Sequence, residues 1–510
     1  MKMSSRQKTL APLFLRFQRG TCVVVIVVMM AFLLSGCVVG PKYHSPALPA
    51  PPQYKENSNW RMAQPKDQTL RGHWWEMFED PRLNALEEQI NSANQTLKIA
   101  QAQFMQARAL VRYYRADYFP TVTAGFSATR TRISSNVAGA LAGSTSNDFV
   151  LPVAVSYEAD LWGRVRRTVE AGTENAQASA ADLENVRLSL HAELALDYFQ
   201  LETLDAEKDL LSSTVNSYEQ ALQLTQDRFR GGLASQVDVE QAQTQLETTR
   251  AQAIDVQAAR AQFEHAVATL IGKPPAQFSL SPSPLRIPPP AIPVGLPSEL
   301  LERRPDIAAA ERRTAAANAN IGVARAAYYP TLSLGASGGF ESTAISSLLT
   351  GPGAFWSVGG AALQTLLDGG RRHAASAEAL AGYDAAVASY RQTVLNAFQE
   401  VEDNLAALRV LESEGATQDK AVQAAQQSLQ LSETRYKDGV TSYLEVTTAQ
   451  STALADERTD VQILGSRMAA TIRLIEALGG GWDSSQLPSP HDLVAQASHP
   501  TRSESPTPDM

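Results

Sequence analysis

The chain of 510 residues holds two cysteines, Cys22 and Cys37, both within its first forty positions. No disulfide framework and no cysteine-rich metal site can therefore hold the body together. Its seven histidines are scattered, without HExxH or another metal-ligand spacing. A phosphate-cradling GxxxxGK(S/T) loop is also missing, so any ATP-driven step belongs to another polypeptide. No catalytic constellation remains, and an enzyme is the least supported class. Positive charge is in deficit as well: 44 Lys+Arg against 53 Asp+Glu give a formal net charge of -9, unlike a nucleic-acid binder. What is present suffices for folding, with 44% hydrophobic and 19% charged residues. Against a usual domain of roughly 100 to 200 residues, this length leaves two or more domains, or one very elongated fold.

The N-terminus has the order of a secretory signal. Lys2, Arg6, Lys8, Arg16 and Arg19 form a basic stretch without acids, followed by an apolar run from Cys22 to Leu34 and then Ser35-Gly36-Cys37. The run is 13 residues, short of the roughly 20 that span a bilayer as a helix. Leu34-Ser35-Gly36-Cys37 resembles the lipobox of bacterial lipoprotein precursors, which implies cleavage before Cys37 and acylation of that cysteine; an ordinary cleaved signal is the alternative. Val38 stands where an aspartate would resemble the inner-membrane retention signal, so an outer-membrane destination is implied. Removing residues 1–36 takes away five positive charges and leaves the mature chain near about -14, without a free thiol.

The remainder says one thing twice. Tyr118-Phe119-Pro120-Thr121-Val122-Thr123 recurs as Tyr328-Tyr329-Pro330-Thr331-Leu332-Ser333, and residues 229–239 recur as residues 436–446, at offsets of about 210 and 207. Each half reads as helix, two strands, long helix, tight turn, helix. Asp80-Pro81 supplies an N-cap and a first-turn proline for a helix from about residue 82 to 118. Alternation of Val122, Ala124, Phe126 and Ala128 with polar neighbours predicts one strand, and Leu151, Val153, Val155 and Tyr157 a second. Residues 132–148 between them read as a solvated loop. The second half repeats this around Leu332, a loop near 342–353, and a weaker strand around 355–366.

Long helices are predicted over about residues 164–230 and 371–437, with room for one break in each. At 1.5 Å per residue each reaches about 100 Å, which no compact domain accommodates. Leu211, Val215, Tyr218, Leu222, Thr225 and Phe229 alternate spacings of four and three, the seam of coiled-coil packing, and Val422, Ala425, Leu429, Ser432 and Tyr436 keep that rhythm.

Four strands per chain cannot close a membrane barrel, because open edges facing lipid leave backbone groups unsatisfied and the smallest barrels use eight strands. If the strands cross a membrane, copies must assemble. Aromatics gather where strands meet helices, at Tyr113, Tyr114, Tyr118, Phe119, Trp162, Tyr328 and Tyr329, as an interfacial girdle requires. Plugging of a sheet-helix junction in a soluble domain is the competing account.

Here the chain resembles the outer-membrane factor family of tripartite efflux and type I secretion systems, the TolC, OprM and NodT-like lipoproteins. The resemblance covers nearly all of residues 37–480. It rests on Gly40-Pro41-Lys42-Tyr43, Trp74-Trp75-Glu76-Met77-Phe78, Asp160-Leu161-Trp162-Gly163-Arg164, Leu301-Glu302-Arg303-Arg304-Pro305-Asp306-Ile307 and Ile321-Gly322-Val323-Ala324-Arg325-Ala326. It implies a mainly α fold with a small membrane β-barrel: a homotrimer whose twelve strands form one barrel in the outer membrane of a Gram-negative bacterium, continued through the periplasm by a barrel of helices. It also implies passive conduction of small molecules such as drugs, driven by a proton-driven inner-membrane transporter and linked by a periplasmic adaptor, with no cofactor beyond the lipid on Cys37. A type I protein secretion duct is the alternative within the family, and an envelope-scaffolding lipoprotein the alternative outside it. The expected layout is 1–36 signal peptide, 37–80 extended anchored segment, 81–275 first repeat, 276–298 Pro-rich connector, 299–480 second repeat and 481–510 flexible tail.

The resemblance also places the periplasmic gate and adaptor contact at the two turns, residues 228–239 and 435–446. Arg228, Gly231, Gly232, Asp238, Tyr436, Gly439, Ser442 and Glu445 are the candidate residues there. Gly231, Gly232 and Gly439 suit turns that need positive φ. Ser235 with Asp238 and Ser442 with Glu445 have capping-box spacing, the aspartate version being weaker. By resemblance, Glu445 matches an acidic ring position of the pore and Tyr436 a tyrosine of the closing network, while the second acidic position falls on Thr448. Glu445 is thus either a selectivity ring, a helix cap, or both.

Overall fold

The computed structural model describes residues 38–48, 51–56, 72–139, 141–290, 292 and 297–495. The signal, Cys37 and residues 496–510 lie outside the described residues, as do the expectations that rest on them.

The segment read as one helix after Asp80 is two helices, α1 (Pro81–Ala93) and α2 (Gln95–Ala116). Asp80 caps the first as expected, accepting from the Arg82 amide at 2.8 Å. Asn94 makes the break: in extended conformation, its Oδ1 accepts from the Leu97 amide at 2.9 Å and its Nδ2 donates to the Leu270 carbonyl at 2.8 Å. An asparagine offers local hydrogen bonds that compete with the helix ladder, and hydrophobic periodicity does not register it.

A sheet follows. β1 (Thr121–Ala124) and β2 (Ser127–Arg132) pair in turn with β3 (Thr145–Ala159), which pairs with β4 (Thr331–Ser342), which pairs with β5 (Ala354–Leu363), all antiparallel. The gap between β1 and β2 has a cause in β3. The Gly125 amide donates to the Pro152 carbonyl at 3.0 Å, and Pro152 has no N–H to return on that side. The loop between β2 and β3 is shorter than the 132–148 expected, covering residues 133–144, because the strands continue into polar sequence. Gly339 in β4 allows a close crossing: a Cβ there would lie 2.1 Å from the Leu151 carbonyl oxygen.

Two long helical hairpins leave the sheet. α3 (Arg164–Arg230) has 67 residues and α4 (Gln236–Leu270) has 35. After α5 (Pro297–Arg303) and α6 (Pro305–Ala326), the second pair is α7 (Arg371–Lys437), again 67 residues, and α8 (Tyr443–Ala477), again 35. Neither 67-residue helix is broken, and neither contains proline. The sheet and the hairpin tips therefore stand at opposite ends of an element about 100 Å long. Of the seam on α3, Leu211, Tyr218, Leu222 and Thr225 are buried, whereas Phe229 stays exposed.

The largest core lies part-way along the long helices, where Trp74, Phe78, Leu83, Ile90, Leu194, Phe199, Ile271, Ile307, Leu405 and Ile472 pack together. Glu87 and His191 meet inside it at 2.6 Å with Trp75 stacked on the imidazole. Burial raises the Glu87 carboxyl well above its usual range and lowers His191 to about 3, so the charged form of each is disfavoured.

Part of the tail expected to be loose is folded. Trp482 is buried, Ser489 and Asp492 form a capping box on α9 (Pro490–Val494), Leu493 is fully buried beside Val111 and Ala176, and Arg108 donates to the Asp492 and Ala495 carbonyls at 3.1 and 2.9 Å. A Ser/Pro-rich composition suggested flexibility, but one leucine with a ready socket suffices to dock a short segment.

Candidate functional site

Both hairpin tips are the same turn built from different residues. In each, the helix closes with a paired i−5 and i−3 hydrogen-bond pattern around a left-handed glycine. Leu233 N–H donates to the Arg228 carbonyl at 2.7 Å and Gly232 N–H to Phe229 at 2.9 Å; Val440 donates to Arg435 at 2.9 Å and Gly439 to Tyr436 at 3.0 Å. Gly232 and Gly439 have φ of 72° and 76°, as expected. Gly231 does not need to be glycine: its φ is -80°, and Asp438 takes the matching place with φ of -77°.

The returning helices start differently. Ser235 and Asp238 form the full capping box on α4, at 3.2 Å from the Asp238 amide to Ser235 Oγ and 2.9 Å from the Ser235 amide to Asp238 Oδ2. Ser442 makes no side-chain cap on α8. Glu445 turns away, accepting from Arg435 Nη1 at 3.0 Å and from the Thr441 hydroxyl. The capping role expected of Ser442 and Glu445 is therefore wrong, and the aspartate version, expected to be the weaker, is the one that forms.

Above the turns, Tyr218, Leu222, Ala242, Leu246, Tyr436, Tyr443 and Val446 join the two hairpins in one apolar cluster. Tyr436 and Tyr443 meet edge to face at 5.1 Å. Arg228 crosses from the first hairpin, its guanidinium 4.9 Å from the Tyr436 ring centroid and its Nη1 donating to the Lys437 carbonyl at 2.7 Å. The Tyr218 hydroxyl donates to the Gln450 carbonyl at 3.1 Å. Burial pushes the Tyr443 phenol up to about 12 and raises Tyr218 too. Buried and without a hydrogen-bond partner among the described residues are the Tyr436 hydroxyl and the Gln450 and Gln241 side-chain oxygens. Around this contact four apolar side chains, Leu233, Val237, Val440 and Leu444, are exposed among charged and polar neighbours. Sequence reasoning placed Arg228 and Tyr436 at the tips but missed their contact across the hairpins, and missed Tyr443, Arg435 and Thr441. The matched offset of 207 between Arg228 and Arg435 was the available clue.

At the other end, the aromatic residues gather at the sheet-helix junction. Trp162 stacks on Tyr329 at 4.8 Å and donates to the Pro330 carbonyl at 2.8 Å. Arg372 lies over Tyr328 at 5.6 Å, Tyr118 is half-buried, and Phe119 is 70% exposed. Each long helix starts on an aspartate that holds both an amide and an arginine: Asp160 binds the Val165 and Arg166 amides and Arg166 Nε, and Asp368 binds the Gly370 and Arg372 amides and Arg372 Nε. The N-terminal segment is pinned here. Val39 N–H donates to the Trp162 carbonyl at 3.0 Å, Arg167 Nη2 donates to the Pro41 carbonyl at 2.8 Å, and Gly40 at φ 110° crosses Gly322 so closely that a Cβ would lie 2.6 Å from it.

The family model described as "Outer membrane efflux protein" matches residues 86–273 and 296–480. The probable efflux pump outer membrane protein TtgC of Pseudomonas putida strain KT2440 is 33% identical over 458 residues, covering 89% of this chain and 94% of that one. The cation efflux system protein CusC of Escherichia coli strain CFT073 is 31% identical over 457 residues, covering 89% and 97%. The solved structure of the outer-membrane channel OprN superposes with a TM-score of 0.82 at 32% identity, covering 88% of this chain and 100% of that one.

Proposed function

The chain belongs to the outer membrane efflux protein family, and from that premise we propose how it is assembled and what passes through it. It is an outer-membrane channel component of a tripartite efflux pump. Our reading is that three copies contribute twelve strands to one barrel, and that their long helices continue the duct into the periplasm as a duplicated helical unit. The observation that carries this is the sheet: β1 and β2 leave one edge open, β5 leaves the other, and nothing among the described residues covers either. In lipid such edges are satisfied only by closure. β3, with 15 residues, is long enough to cross the hydrocarbon layer at a barrel tilt of about 45°.

The cargo is small molecules, in line with relatives named for toluene, antibiotic and cation efflux. Conduction is passive, and the inner-membrane transporter, read as proton-driven, supplies the energy. The tips at residues 228–239 and 435–446 meet the periplasmic adaptor and form the gate, with Arg228 over Tyr436 as its latch. Cys37 carries the lipid, a reading supported by the next residue, Val38, packing on Gly163 at the sheet-helix junction. Tyr118, Phe119, Trp162, Tyr328 and Tyr329 form the interfacial girdle there.

Light scattering on the detergent-solubilised protein, together with planar-bilayer recording, tests the assembly. A protein mass of three chains and steady single-channel conductance are expected. A monomer, or a trimer that conducts nothing, would overturn it.

A further inference from the structure

Where the helices meet the sheet, the charge balance of the chain is reversed. Residues 112–119, 158–170, 325–330 and 364–373 contain eight arginines and five carboxylates, in a protein of net charge -9. The carboxylates are already engaged. Glu158 binds Arg164, Asp160 binds Arg166, Glu170 binds Arg167 and Asp368 binds Arg372, while Asp117 adds its field to Arg164. Arg112, Arg115, Arg325 and Arg371 are left exposed, their guanidinium groups without hydrogen bond or ion pair among the described residues. Their placement is systematic. Arg115 and Arg325 each stand six residues before a strand, at Thr121 and Thr331, and Arg371 opens α7 just after β5. Arg112 and Arg115 continue the face of α2 whose Arg108 holds the tail.

A single exposed arginine needs no ligand. These four border an exposed apolar belt: Phe119 is 70% exposed, Leu363 74%, Leu366 87% and Leu367 92%. Apolar and aromatic side chains followed by guanidinium groups is the order met on passing from acyl chains to phosphates at a membrane surface. Val38 packs against Gly163 at this same level, one residue from the lipid-bearing position.

We propose that Arg112, Arg115, Arg325 and Arg371 form a collar that binds the phosphate groups of anionic phospholipid in the periplasmic leaflet. The proposal rests on the reading that the strands cross the outer membrane. The collar selects headgroup charge while the belt and the Cys37 lipid hold depth, so the junction is fixed in height by two different interactions.

Electron spin resonance on the full-length protein in phosphatidylcholine vesicles tests it, comparing spin-labelled phosphatidylglycerol with spin-labelled phosphatidylcholine in the motionally restricted layer. Phosphatidylglycerol is expected to associate about two- to fivefold more strongly at low salt, and the preference to fade as salt rises. The variant R112Q/R115Q/R325Q/R371Q should lose the preference while keeping its helical circular dichroism, since these guanidinium groups hold no partner among the described residues. Equal association of the two lipids, or an undiminished preference in the variant, would overturn the collar and leave the membrane reading intact. No restricted layer with either lipid would overturn both. A variant that keeps the lipid preference but changes the ion selectivity of the channel would place the arginines in the duct, against the proposal.

Discussion

In the first hairpin tip Asp238 closes a capping box with Ser235, whereas in the second Glu445, at the matching position, reaches back to Arg435 and Thr441. The turns themselves are alike, so the difference lies in where the arginine goes. Arg228 crosses to the Lys437 carbonyl and the Tyr436 ring, leaving Asp238 free to cap its own helix. Arg435 stays within its own hairpin and draws the acid away from the helix start. Thr441 supplies a second donor where the first tip has Ala234. Two like turns thus lead into different helix starts, one closed by a capping box and one beside a charge pair. The aromatic residues diverge likewise: Tyr436 lies buried beneath Arg228, and its counterpart Phe229 is 42% exposed.

The largest separation of the two tips should come from alkaline pH. Burial pushes the Tyr443 phenol up to about 12, above the ordinary tyrosine range, and raises Tyr218 as well. An acid whose pKa is raised on folding stabilises fully below its unfolded pKa and loses that contribution as pH rises through the folded value. The second tip should therefore loosen between about pH 10 and 12, by on the order of 2 kcal/mol. Hydrogen exchange should show residues 436–450 losing protection before residues 228–240; simultaneous loss, or tyrosinate absorbance from every tyrosine near pH 10, contradicts the account.

Next in size is Arg228→Ala. Removing the cation–π contact and a charge-assisted hydrogen bond, both partly exposed, should weaken the join between hairpins by about 1–2 kcal/mol. Faster exchange around Tyr436 and a larger conductance are expected, while Arg435→Ala should leave Tyr436 protected. Equal effects from the two variants would show that the crossing arginine is not the latch. Ser235→Ala should then cost about 1 kcal/mol at the start of α4, with Ser442→Ala within a few tenths at α8, read by the same exchange measurement. If the serines matter equally, the capping difference has no energetic content.

How far the sequence reaches is visible in the same residues. The 67-residue helices were legible because neither contains proline and both keep a seam, and the strands because their alternation has period two. The interruption at Gly125 was not, since it arises from a proline on the neighbouring strand. The break at Asn94 was missed because one side chain, not a pattern, makes it. At the tips, the repeat located both turns and their glycines, but Arg228 meets Tyr436 across some 200 residues of chain, and periodicity says nothing about such contacts. Glu445 and Asp238 have the same spacing from a serine; only the side-chain competition in three dimensions separates them.

The smallest effect is also the one that decides what that separation means. Glu445 and Arg435 form an exposed pair, 39% and 54% accessible, worth little to stability. In a trimer their three carboxylates would ring the duct with three guanidinium groups beside them, and Thr448 adds no second acid. The pair therefore nearly cancels. Glu445→Gln unmasks Arg435 and should shift permeability towards anions, Arg435→Gln unmasks the carboxylate and should shift it towards cations, and the double variant should return close to the parent. Unit charges about 10 Å from the pore axis in water-like surroundings contribute about 0.4 kcal/mol each, about 1.2 kcal/mol for three copies and about 0.4 kcal/mol after salt screening, felt with opposite sign by cation and anion, so each single change should alter the permeability ratio about fourfold. Reversal potentials in a salt gradient read this directly. If Glu445→Gln leaves them unchanged, the second tip's acid serves only to tie its own turn to Arg435 and Thr441, and the divergence of the two hairpins is structural alone.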